Sequence, residues 1–240
     1  SGGLTFSGNA RPIPQVRIGI PEYTVVPGTK GWMAFKGHIA YGIFTDDGWQ
    51  KNFVAPGNKY TEHVLYHSKD LYVKNGNQEK FPLILEGGLE MAAQFGGNAF
   101  IGNEKIDMPN GIKDFFKVFI PSGGSSDTPL GEQLNIYGNH LGSWNFSLTW
   151  YAPKNWTIRP YYEHYFEDHS QMFGEYGWKD CLAGVEITFP KNPVIGSFVY
   201  EYISTKDQTG PVYWDHTPEI PEQVSGTDNY YNHGIYTGWQ

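Results

Sequence analysis

The residues best equipped for chemistry lie in 204–233, "STKDQTGPVYWDHTPEIPEQVSGTDNYYNH". Tyr213, Trp214, Tyr230 and Tyr231 stand there among Asp215, His216, Asp228 and Asn232. Flat rings stack on the C–H faces of pyranoses, while carboxylates and amides exchange hydrogen bonds with sugar hydroxyls. That mixture predicts a sugar-binding connection, or else a loop that packs on itself and fills an opening. A second candidate is the loop end of "RPYYEHYFEDHSQMFGEYGWKD" (159–180), where Glu167, Asp168 and His169 follow an aromatic run.

Other chemistries fit less well. Glu163 and Glu167 would stand about 13 Å apart on one strand face, beyond the separations used in glycoside hydrolysis. Strand parity sends His164 and His169 to opposite faces, which spoils a metal site built with Asp168. Asp207, Asp215 and Asp228 lack the spacing of an EF-hand loop. "GGSSD" has no nucleophile-elbow context, and no glycine-rich loop reads as a phosphate cradle. No catalytic residue, metal or cofactor is expected.

The elements that must position these residues read as strands. "WMAFKGHIAYGIF" (32–44) puts Met33, Phe35, Gly37, Ile39, Tyr41 and Ile43 on one face and Lys36 and His38 on the other. In 83–95, Leu89, Met91, Ala93 and Phe95 oppose Glu86, Gly88, Glu90 and Gln94. In 143–151, Trp144, Phe146, Leu148 and Trp150 oppose Asn145, Ser147 and Thr149. Residues 156–167 set Trp156, Ile158, Tyr162, His164 and Phe166 against Thr157, Arg159, Tyr161, Glu163, Tyr165 and Glu167, with Arg159 placed to pair with Glu163. In 181–189, Ala183, Val185, Ile187 and Phe189 oppose Gly184, Glu186 and Thr188. In 194–202, Val194, Phe198, Tyr200 and Tyr202 oppose Ser197 and Glu201. One stretch departs from this rhythm. Ile112, Phe115, Phe116 and Phe119 have helical spacing, so a short helix is expected near 111–119.

Pro/Asn punctuation in "APKNW" (152–156) and "PKNP" (190–193) predicts tight turns, while 45–62, 167–178 and 204–233 are long and polar. Short turns at one end and long connections at the other, with few lysines opposite the apolar face, favour a transmembrane β-barrel over a soluble sandwich. The high aromatic content, 17%, suits interfacial girdles. A mean hydropathy of −0.48 is compatible with a barrel, whose strands alternate. A net charge of −8 excludes a phosphate-neutralising nucleic-acid surface. The lone Cys181 allows neither a disulfide framework nor a zinc knuckle.

The stretches "YYEHYFEDHS", "YEYISTKDQTGP" and "DNYYNHGIYTGWQ", with "SGNARPIPQVRIGI" and "GWMAFKGHIAYGIFTDDGW" in the first half, closely resemble the capsule assembly Wzi family as found in the Bacteroides group. The resemblance covers nearly the whole chain. It implies a large antiparallel outer-membrane barrel with a small periplasmic helical element and a lumen blocked by loops. It implies a surface lectin that holds capsular polysaccharide, not an enzyme. Family members are about twice this length, so residues 1–240 are expected to form about half of one barrel and to belong to a longer chain. Capsular polysaccharide, the outer-membrane bilayer and other outer-membrane proteins are the partners this implies. A passive pore, a structural subunit of an outer-membrane complex, and a soluble β-rich glycan-active enzyme are the alternatives.

Overall fold

The computed structural model describes residues 12–45, 47–120, 137–167, 172–173, 178–206, 230 and 233–236. Its main feature is an eight-stranded antiparallel sheet. The strands are β1 (Gln15–Val25), β2 (Met33–Ile43), β4 (Leu65–Asn75), β5 (Leu83–Phe95), β8 (Asn139–Ala152), β9 (Trp156–Phe166), β10 (Cys181–Thr188) and β11 (Ser197–Ser204). They lie side by side in that order, each paired antiparallel with the next. The protein is therefore all-β in its main architecture. The sheet is open: β1 and β11 are its two edges and do not pair with each other. Among the described residues, a small sheet of β3 (Tyr60–Glu62), β6 (Asn98–Ile101) and β7 (Glu104–Asp107) makes up the remaining strands.

The predicted helix is present as α2 (Ile112–Phe119). Asn110 and Gly111 lead into it, and the Gly111 N–H donates to Asp114 Oδ2 at 2.9 Å, which satisfies one donor at its start. A shorter helix, α1 (Trp49–Phe53), lies in the connection between β2 and β3.

All short turns fall at one end of the main sheet: 26–32, 76–82, 153–155 and 189–196. The other end carries 44–64, 96–138, 167–180 and the chain beyond β11. Lys154 and Asn155 both have φ of 62°, the left-handed conformation that matches a tight hairpin to strand twist. In the 189–196 turn, Asn192 Oδ1 accepts from the N–H groups of Val194 and Ile195 at 2.9 Å, and its amide donates to the carbonyls of Pro190 and Ile195. Val194 therefore belongs to the turn and not to the strand face expected for it. β1 has a bulge between Ile20 and Thr24, where Pro21 removes a ladder donor.

The two faces differ sharply. One carries Ile18, Ile39, Leu71, Leu85, Leu89, Phe146, Leu148, Trp150, Ile158, Val185, Phe198 and Tyr200, as the cross-strand registers show. Many of these side chains are exposed: Ile18 is 77%, Leu71 55%, Phe146 43% and Tyr200 62% accessible. Among register-paired strand residues, this face holds one Lys, Arg, Asp or Glu, which is Lys69. The opposite face holds Arg17, Lys36, Asp70, Lys74, Glu86, Glu90, Arg159, Glu163, Glu186 and Glu201. A soluble sandwich does the reverse, burying its apolar face.

Packing is densest at the long-connection end. Val64, Ala93, Phe95, Met108, Val118, Tyr137 and Tyr236 form one buried cluster there, with Phe115 and Tyr41 against it. A second cluster sits on the polar face near the same end, made of Leu141, Tyr165, Leu182 and Tyr230.

Candidate functional site

The polar face carries a cleft of about 310 Å³, lined by Tyr23, Lys36, Asp70, Tyr72, Glu86, Glu90, Asn145, Ser147, Arg159, Tyr161 and Glu163, among others. Every strand from β2 to β9 in the main sheet contributes through the same alternation, so the cleft follows directly from strand parity.

Two glycines shape it. Tyr72 stands directly across from Gly88, and a Cβ on Gly88 would meet the tyrosine ring at 2.2 Å. Tyr161 stands across from Gly184, where a Cβ would meet its ring at 2.4 Å. Each ring thus lies over its partner glycine instead of standing off the sheet. Lying flat, each phenol reaches a carboxylate. Tyr72 donates to Glu90 Oε1, and Tyr161 reaches across Gly184 to donate to Glu201 Oε1 on the next strand. A third pair, Phe166 over Gly142, repeats the device on the apolar face.

The remaining groups are tied together in pairs. Asp70 and Glu90 are directly opposed, a repulsive placement for two carboxylates. Each has its own donor: the His38 backbone N–H reaches Asp70 Oδ1 at 2.6 Å, with His38 Nδ1 at 2.9 Å, and Tyr72 serves Glu90. Ser147 Oγ donates to Glu86 Oε2 at 3.1 Å. Lys36 Nζ stands 5.0 Å from the ring centres of both Tyr23 and Tyr72. Arg159 lies 5.2 Å from the Tyr161 ring and pairs with Glu186 across the strands, Nη1 to Oε2 at 3.6 Å. The expected Arg159–Glu163 pair along one strand is thus replaced by a cross-strand one. Directly opposed residues have Cβ atoms about 5 Å apart, whereas i and i+4 on a strand are about 13 Å apart. Tyrosine faces flanked by carboxylates and cations can stack on sugar rings and exchange hydrogen bonds with hydroxyls.

The sequence-predicted site residues fare unevenly. Glu167 is half-buried where β9 ends. Tyr230 is buried, its hydroxyl donating to Asp180 Oδ2 at 2.9 Å and its ring edge-on to Tyr165 at 6.1 Å. At 5% exposure it offers little free ring surface for stacking on a ligand. Tyr213, Trp214, Asp215, His216, Asp228, Tyr231, Asn232, Asp168 and His169 lie outside the described residues, as do Asp207 and the "GGSSD" stretch. His164 is buried, with Nδ1 2.9 Å from the Asp180 carbonyl oxygen and its ring 4.5 Å from that of Trp178. The inner cleft is not legible in the sequence because its residues come from seven strands. The available signal was the recurrence of Glu, Tyr and Arg opposite the apolar positions.

A further cluster of hydrogen bonds lies at His233. Its Nδ1 accepts from the N–H groups of Ile235 and Tyr236 at 3.2 Å, and Lys59 Nζ donates to its carbonyl. Burial, with Lys59 nearby, lowers the His233 pKa to about 4. Burial also lowers that of Lys59. Between about pH 4 and the ordinary imidazole value of about 6.5, the unfolded chain binds a proton at this position that the folded chain does not. This contribution to stability is complete above pH 6.5 and fades as pH falls through 4. Because His233 retains some exposure, about 1–2 kcal/mol is expected. Urea midpoints measured from pH 7.5 to 4 should fall more steeply for the native chain than for His233→Asn; parallel curves would remove His233 from this role.

Comparison with protein-family models, with curated proteins and with solved structures finds no match.

Proposed function

We propose that this chain forms part of the wall of an outer-membrane β-barrel of the capsule-assembly Wzi type, and that it holds surface polysaccharide on the bacterial cell. The observation that carries the membrane reading is the segregation of the two sheet faces. One face exposes large apolar side chains on seven of the eight strands and, among the register-paired residues, bears only Lys69 as a charge, while the other bears ten charged residues. Lipid on one side and a hydrated lumen on the other demand that pattern. Strand length supports it: β1, β2, β4 and β9 have 11 residues each, and a tilted strand needs about 9–11 to cross the hydrocarbon. The clustering of short turns at one end favours placing that end in the periplasm and the long connections at the cell surface. No helix among the described residues is long and apolar enough to cross a membrane, which says nothing of crossing by strands.

Among the described residues, β1 and β11 are open edges whose outer backbone groups have no strand partner. In lipid these must be satisfied by further strands, so the sheet is one arc of a larger barrel. In this orientation α2 lies at the cell-surface end, unlike the periplasmic helical element that the family resemblance implies.

Polysaccharide retention rests on that resemblance and on the ring-and-carboxylate chemistry of the 204–233 connection and the inner cleft. A single contact would be weak, about −4 kcal/mol for a millimolar site. A polymer touching many copies would still be retained by avidity. Changing Tyr213 and Trp214 together to Ala should leave heat-modifiable gel migration intact yet release capsule into the medium. Full retention by the folded double variant would assign the connection to plugging alone.

A passive pore is the second reading, favoured by the polar face itself. Single-channel conductance in planar bilayers separates the two, because a plugged lectin is nearly silent.

A further inference from the structure

We infer that α2 is an interfacial helix: it lies on the outer wall of the sheet, shields Lys69 on that wall, and buries its own outward stripe in the outer rim of the bilayer. This rests on the membrane reading above and adds a lipid-contacting element that no strand pattern contains.

Three observations place the helix. Its inner side packs on the apolar face: the Phe115 ring lies 5.1 Å from both Tyr41 and Phe95, and the Tyr41 hydroxyl donates to the Phe115 carbonyl at 3.0 Å. Tyr41 shares that face with Ile39 and Ile43, so α2 sits on the side proposed to meet lipid and not over the lumen. Next, Lys69 is engaged by the end of this helix. Its Nζ donates to the Phe119 carbonyl and lies 5.0 Å from the Phe119 ring centre. A cation at a helix C-terminus, against a ring, meets the negative end of the helix dipole and a π face. A lysine facing lipid without such cover is costly.

The outward side supplies the third observation. Ile112, Phe116 and the C-capping Ile120 follow one another at four-residue spacing and are 81%, 67% and 68% exposed. The helix is thus apolar on both sides, its inner stripe spent on the sheet and its outer stripe uncovered. Asp114, its one acid, is turned inward onto the Gly111 N–H and stands 3.5 Å from Lys117. Lys113 is exposed beside the stripe, where a long side chain can reach lipid phosphates while its stem lies in the apolar zone. A second protein could also cover such a stripe. Lipid is the occupant the structure favours, because the helix is seated through Tyr41, Phe95 and Lys69 on the same sheet face that exposes Ile18, Ile39 and Leu71.

The test uses the full-length protein in vesicles, with Cys181 replaced by Ser and an environment-sensitive fluorophore on a single introduced cysteine. Leu71→Cys marks the middle of the apolar face, Asn145→Cys the polar face, and Phe116→Cys the helix. Lipids brominated deep in the acyl chain should quench the label at 71, and those brominated near the headgroup should quench the label at 116. The label at 145 should respond to neither. Quenching at 71 with none at 116 would overturn the interfacial helix and leave the barrel wall standing. No quenching at either position would overturn both. Protection of 116 from aqueous iodide without quenching by any lipid would identify a protein neighbour and also overturn the proposal.

Discussion

Leu71→Arg lowers the stability of the vesicle-inserted protein by about 2–4 kcal/mol, while Asn145→Arg lowers it by less than about 1 kcal/mol. Leu71 lies near the middle of β4, on the apolar face, and more than half of its surface is exposed. In water such a position accepts arginine almost without cost, because nothing packed is displaced. In lipid it is among the worst places for a charge. Asn145 lies on the opposite face beside Glu163, its register partner, where a new cation finds a partner. Equilibrium urea unfolding in vesicles distinguishes the two media. Equal tolerance at both positions would point to a water-soluble sheet.

Gly184→Val costs about 2–3 kcal/mol, although it fills what looks like empty space in the sequence. The new Cβ would meet Cζ, Cε2 and the hydroxyl oxygen of Tyr161, all at 2.6 Å or less. The ring must lift, and its hydrogen bond to Glu201 goes with it. In a Tyr161→Ala background the same substitution should cost under about 1 kcal/mol, a coupling expected only of residues in contact. Denaturation of the four proteins in one cycle measures it. An unchanged cost would mean that the ring does not lie over the glycine.

The alternation of side chains was legible because strand parity is strict: residues two apart share a face whatever the tertiary context. Thus β2, β5, β8, β9, β10 and β11 were readable with their facing residues. β1 and β4 were harder. Pro21 and the bulge interrupt β1, while Lys69 and His67 occupy apolar-face positions in β4. The two β4 exceptions make sense with α2 laid over them, since both Lys69 and His67 lie against Phe119, a packing across a long stretch of chain that local pattern does not encode. Tyr230 shows the same limit. A tyrosine among asparagines reads as a ligand platform, yet Asp180 claims its hydroxyl from fifty residues away. The inner cleft is present in the sequence only as scattered single residues, since its lining spans seven strands.

The order of strands in the sheet also sets a schedule for assembly. Neighbours in space are neighbours along the main sheet's chain order, so β4–β5, β8–β9 and β10–β11 can zip from their short turns without waiting for distant partners. Joining β5 to β8 is different, because the connection 96–138 must be closed first. Its closure entropy exceeds that of the 76–82 turn by roughly 1–2 kcal/mol. The wall would then grow as two preformed halves, with the β5–β8 seam closing last and the cluster around Phe95 and Tyr137 acting as its clasp.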